Sequence, residues 1–100
     1  MTEQPIFMSR RSKVLDEANK LISEDRNNQY GDAYINMIMI ARAWSETLDY
    51  TVQTWQVPIM LAQMKLARLS SGGYKEDSIV DAIGYLALAS ECKNKDVPEL

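Results

Sequence analysis

Four stretches of the chain repeat apolar residues at the three-and-four spacing of a helix. In the first, over residues 10–24, Val14, Leu15, Ala18, Leu21 and Ile22 form one stripe. That stripe predicts a core-facing helix, with Asp16, Lys20 and Glu24 on a solvated face. Ser9 or Ser12 is placed to cap it. The second stretch, residues 33–48, is different. Ile35, Met37, Ile38, Met39, Ile40, Ala41, Ala43, Trp44 and Leu48 cover far more than one face. A helix apolar nearly all round is buried on nearly all sides, which a chain of 100 residues does not easily arrange alone. The pattern predicts a subunit interface, and so a homo-oligomer, in which the methionines are adaptable contacts. Asn36 is the polar exception near the start.

The third helix is expected to be capped by Thr51 or Thr54 and to end near residue 69. Pro58 falls in its first turn, where a missing N–H does no harm. The fourth is expected over residues 75–92, with Asp77 in its first turn favourable to the helix dipole. Gly84 lies mid-helix, where glycine costs about 1 kcal/mol against alanine. With Ala82, Ala87 and Ala89 nearby, it points to tight packing against another helix. Between the first two helices, Asn27, Asn28 and Gly31 form a turn and Asp32 caps the second helix. Pro5 makes residues 1–8 an arm, whose Ile6 and Phe7 staple onto the first helix or onto a neighbouring subunit. Residues 94–100 read as a frayed tail. The whole predicts one all-α domain over residues 9–93, a four-helix bundle packed into a homo-oligomer.

Composition narrows the chemistry. A net charge of −3 and a pI near 4.8 argue against binding DNA or RNA, which takes a basic face. There is no histidine, so histidine triads and histidine metal sites are absent. The lone Cys92 excludes an intrachain disulfide and suits a reducing compartment. No apolar run approaches the roughly 20 residues of a membrane span, and the first residues lack the apolar stretch of a signal peptide. The expected location is the cytoplasm. An enzyme built from these residues would rely on carboxylates, lysines and a hard cation such as Mg²⁺.

Two charge pairs stand out. Lys65 and Arg68 share one helix face, and Asp77 and Asp81 share another. A tight antiparallel hairpin brings the end of one helix beside the start of the next. Two cations and two carboxylates are then expected to meet, embedded among Leu66, Leu69, Ile79, Val80, Ile83 and Leu86. One reading is a salt-bridge lattice that fixes helix register. The other is a polar site, where the cations hold a phosphate and Asp77 and Asp81 hold a sugar hydroxyl or a metal. In the turn before Asp32, Arg26 beside Tyr30 suits a phosphate together with a base ring or ribose. Alternatively the Tyr30 ring packs on the first helix with its hydroxyl in water.

Taken in order, "DR…YGD…N…W", "KLAR" and "DSIVDAIGYLAL" resemble a family of short phage-encoded proteins of unassigned function. That family is similar in turn to the phage nucleotide modification associated domain proteins. A more distant likeness is to the MazG-type all-α nucleotide pyrophosphohydrolases. Asp81 followed by Gly84 and Tyr85 resembles the end of their E-x-x-D helix, and Asp77 stands where the partner acid would be. Their E-E-x-x-E has no counterpart, since the first helix offers only Asp16, Glu17 and Glu24. The resemblance implies a phage protein, acting in the cytoplasm of an infected bacterium. By analogy of source and size, it would bind and sequester a nucleotide-derived small molecule, such as a cyclic nucleotide or an ADP-ribose-type immune signal. It would do so without turnover and without a cofactor. The implied ligand-binding set is Arg26, Tyr30, Asn36, Lys65, Arg68, Asp77, Asp81 and Tyr85. The alternatives are a Mg²⁺-dependent pyrophosphohydrolase and a structural helical oligomer without a ligand.

Overall fold

In a computed structural model, which describes residues 9–25 and 32–95, the chain forms four helices and, among the described residues, no strand. Helix α1 (Arg10–Lys20) opens at Ser9, whose Oγ accepts the Ser12 N–H at 3.2 Å. The helix does not continue regularly to residue 24 as its pattern predicts. It widens into a π-helical turn at Leu21–Asp25. Helix α2 (Ala33–Leu48) begins at Asp32, whose Oδ1 accepts the Tyr34 N–H at 2.8 Å, and ends on Asp49 in the left-handed region at φ 53°. Ser45 then clamps the following connection: its Oγ accepts the Val52 N–H at 2.7 Å and donates to the Val52 carbonyl at 3.3 Å.

Helix α3 (Gln56–Gly72) corrects two expectations. Neither Thr51 nor Thr54 caps it with a side chain; Trp55 holds the cap position without a side-chain bond. The start is closed instead by main-chain and glutamine groups. The Thr54 carbonyl accepts the Val57 N–H at 3.2 Å, and Gln56 Oε1 accepts the Gln53 N–H at 2.8 Å. The helix also runs past residue 69 through both serines. Ser71 Oγ donates to the Ala67 carbonyl at 3.5 Å, so it joins the helix rather than competing with it. Gly73, at φ 84°, ends it in a conformation that suits glycine. Helix α4 (Glu76–Lys95) outruns its predicted end at residue 92. Asn94 donates to the Ser90 carbonyl at 2.8 Å, and Lys95 pairs with Glu91 at 2.9 Å, one turn back.

The core is in two parts, and α4 belongs to both. Val14 and Ala18 of α1 pack with Val80 of α4. Met37 and Ala41 of α2, Val57 of α3, and Leu88 and Cys92 of α4 form the second cluster. Gly84 lies between them along α4. A Cβ there would stand 2.9 Å from Ile22 Cγ2, so the glycine admits the π-helical turn against α4. The predicted close approach is real, and it comes from that turn.

Several apolar positions read as core are on the surface. Leu15 in α1, and Leu66 and Leu86 around the charge pairs, are all exposed. The α1 stripe is narrower than its sequence, because α1 packs chiefly on one neighbour, α4. In α2, Met37 is buried while Ile35 and Met39 are exposed, Met39 at 61%. No described helix is long and apolar enough to cross a membrane. The expected arm with Ile6 and Phe7, the turn with Arg26 and Tyr30, and residues 96–100 of the expected tail lie outside the described residues.

Candidate functional site

The α3–α4 hairpin folds back as expected and joins one of the predicted charge pairs directly. Lys65 Nζ lies 2.8 Å from Asp81 Oδ2, with the side chains 15% and 29% exposed. Arg68 and Asp77 line the same cleft but make no ion pair among the described residues. The lattice is therefore one bridge, not two, and half of the expected cation set remains open to the cleft.

Asp81 is the hinge of the site's geometry, because three cavities open onto it. The cleft between α3 and α4, about 440 Å³, also carries Lys65, Arg68, Lys75, Asp77 and Ser78. A groove between α1 and α4, about 400 Å³, is walled by Glu17, Lys20 and Leu21 on one side and by Asp77, Val80 and Asp81 on the other. A third cavity, about 310 Å³, is enclosed by the π-helical turn, the start of α2 and the middle of α4. Leu21, Ile22, Ala33, Gly84 and Leu88 give it an apolar lining, and Asp32, Asp81, Tyr85 and Glu91 are its main polar groups. Its volume is at the small end of the range for ligand pockets, and an apolar wall with a few placed polar groups is their usual make-up.

Among the described residues, each of those three carboxylates has a partner on one oxygen. Asp32 Oδ1 takes the Tyr34 N–H, Asp81 Oδ2 takes Lys65, and Glu91 Oε2 takes Lys95 at 2.9 Å. A carboxylate has about four lone-pair sites, so each retains accepting capacity for a ligand. The hydrogen bond to Glu91 raises the Lys95 pKa above the ordinary lysine value; desolvation opposes it, and the negative charges of Glu91 and Asp32 add to it. Lys95 also lies over the Tyr34 ring, 5.2 Å from its centroid, tying the end of α4 to the start of α2.

Of the implied ligand set, Lys65, Arg68, Asp77 and Asp81 meet in the α3–α4 cleft, and Tyr85 lines the apolar cavity. Asn36 is half-buried in α2 and lines none of the three cavities. Arg26 and Tyr30 lie outside the described residues. Sequence reasoning missed Glu91, although Asp77, Asp81, Gly84, Leu88 and Glu91 are spaced four, three, four and three and so share one face of α4. It also missed Ser78, a hydroxyl on the stripe that carries Ala82, Ala89 and Cys92 into the core. Among the described residues, no three of Cys, Asp and Glu are grouped closely enough to hold a metal ion.

Residues 13–93 match the family described as "Domain of unknown function (DUF6378)", and the chain belongs to that family. It is 36% identical over 72 residues to the Gene 55 protein of Mycobacterium phage D29, covering 72% of this chain and 48% of that protein. It is 33% identical over 75 residues to the Gene 55 protein of Mycobacterium phage L5, covering 72% of this chain and 47% of that one. The relatives are phage proteins, and the chain spans about half the length of each. No solved structure matches it.

Proposed function

We propose that this phage-family protein binds a nucleotide or nucleotide-derived small molecule and holds it without turnover. The carrying observation is that Asp81 borders two cavities of opposite character. One has an apolar lining and carboxylate acceptors, which suits a base and the donor groups on its edge. The other carries Lys65, Arg68 and Lys75, which suits a phosphate. A ligand with an aromatic head and an anionic tail would place one part on each side of Asp81. Turnover by the MazG-type route would need several carboxylates fixing metal ions and water, and the E-E-x-x-E pattern that supplies them in that family has no counterpart in this sequence.

We also infer that the protein is a homo-oligomer. Ile35 and Met39 sit one turn apart on the exposed side of α2, and Met60 and Met64 do the same on α3. Apolar side chains at helical spacing on two helices are the kind of surface a second copy covers.

Isothermal titration of the full chain against nucleosides, nucleotides and cyclic dinucleotides, with and without EDTA, tests the binding reading. Saturable binding in EDTA, with the ligand recovered intact after heating, is expected. Binding that needs Mg²⁺ and returns hydrolysed products would replace the reading with the pyrophosphohydrolase. No binding across the panel would leave only a structural protein.

A further inference from the structure

The cleft between the end of α3 and the start of α4 contains a buried polar group that no described residue engages. Ser78 is only 8% exposed and lines the cleft. Its hydroxyl has no hydrogen-bond partner among the described residues. Buried hydroxyls are ordinarily paired, because desolvating one alone costs free energy. Ser71, late in α3, donates to the Ala67 carbonyl four residues back; Ser78 is in the first turn of α4, where the residue four back, Tyr74, precedes the helix and offers no such carbonyl.

The surroundings of Ser78 are built of donors. Ser78 is in the first turn of α4, a helix of 20 residues, and its own N–H goes to the Lys75 carbonyl at 3.1 Å. The residue before the helix is Lys75, whose side chain has donors only and cannot cap. The N–H groups of Glu76 and Asp77 and the positive end of the helix dipole are therefore left at the helix start together. Arg68 and Lys75 line the same cleft and form no ion pair among the described residues, while Lys65 is already taken by Asp81. Asp77 opposes them: the cleft has three cations against two carboxylates. Such a balance admits one anionic group and disfavours a run of several.

We infer that this cleft is a subsite for the terminal phosphate of a phosphomonoester, with the Ser78 hydroxyl, Arg68 and the N–H groups of Glu76 and Asp77 as its donors. A terminal phosphate presents three unesterified oxygens and approaches two negative charges near neutral pH. A cyclic phosphodiester presents two such oxygens and a single charge. The planar fork of Arg68 matches two oxygens side by side, and the hydroxyl of Ser78, without a protein partner among the described residues, is a further donor. Lys75 adds attraction without fixed geometry. The inference rests on the nucleotide reading above and deepens it, selecting open monophosphates over cyclic ligands.

The test is calorimetric titration of the full chain with the four nucleoside 5′-monophosphates, the parent nucleosides, a 3′,5′-cyclic monophosphate and orthophosphate. At least one monophosphate is expected to bind tenfold or more tighter than its nucleoside and its cyclic form. Ser78→Ala and Arg68→Ala are each expected to weaken that binding about tenfold or more. Ser78→Ala should leave the melting temperature of the free protein unchanged or raised, since it removes an unpaired buried hydroxyl. A nucleoside or cyclic form binding as tightly as the monophosphate would overturn the phosphate subsite and leave the nucleotide reading standing. Ser78→Ala that melts lower and binds normally would show a purely structural serine, and would overturn the subsite. Orthophosphate binding alone would keep the subsite and overturn the nucleotide reading. No binding by any probe would overturn both.

Discussion

Replacing Asp81 by asparagine keeps its shape and removes its charge, so the effect isolates the bridge to Lys65. The two groups are 2.8 Å apart, and their side chains are 15% and 29% exposed. At an effective dielectric of about 20, the gross attraction at this separation is roughly 6 kcal/mol. Most of that is offset by desolvation of the two ions. Fully exposed pairs contribute about 0.2–1 kcal/mol net, whereas removing one partner of a fully buried pair costs about 3–5 kcal/mol. With partial water access to Asp81 and little to Lys65, Asp81→Asn should cost about 1–3 kcal/mol. For a domain of this size, that is a drop of roughly 5–20 °C in melting temperature. Lys65→Met fills the same space without a charge, so the double variant should recover much of the loss. Thermal and urea unfolding, followed by far-ultraviolet circular dichroism, would give all four corners of the cycle. A coupling above about 1 kcal/mol is expected. If both single variants stay within about 0.5 kcal/mol of the parent and their effects add, the bridge does not hold the hairpin and Asp81 is not the hinge of the site.

Gly84→Ala sets about 1 kcal/mol of helix propensity against about 1–3 kcal/mol of overpacking on Ile22. A net loss of up to about 2 kcal/mol in urea unfolding is expected, with recovery in the background of Ile22→Leu; a variant more stable than the parent would refute the contact. Multi-angle light scattering at micromolar concentration should give a multiple of 11.4 kDa, and Met39→Asp should reduce it to one chain without lowering its helix content. A single-chain mass for the parent would refute the oligomer.

The helices were legible wherever a short polar side chain meets an apolar stripe. Ser9 and Asp32 announce α1 and α2 and cap them as expected. The start of α3 was not legible, because its closing groups are a carbonyl and a glutamine side chain rather than a threonine hydroxyl. Nor was the π-helical turn, since Leu21 and Ile22 continue the α1 stripe without a break. Its only sign in the sequence is across the molecule, at Gly84. Half of the site was readable from charge spacing: the Lys65–Asp81 bridge follows from two helix faces and a short loop. Ser78 was hidden by its context, because a serine among buried alanines looks like a small core residue until its hydroxyl is found to have no partner among the described residues.

The division of the core along α4 has a mechanical meaning. Val80 anchors one cluster, Leu88 and Cys92 anchor the other, and Gly84 marks the seam. The apolar cavity lies at that seam, with the π-helical turn on one side and the start of α2 on the other. The hairpin with α3 runs alongside α4 and stiffens it on one side. A ligand wedged at the seam would act as a splint, bracing one half against the other at the point where the helix has no side chain of its own.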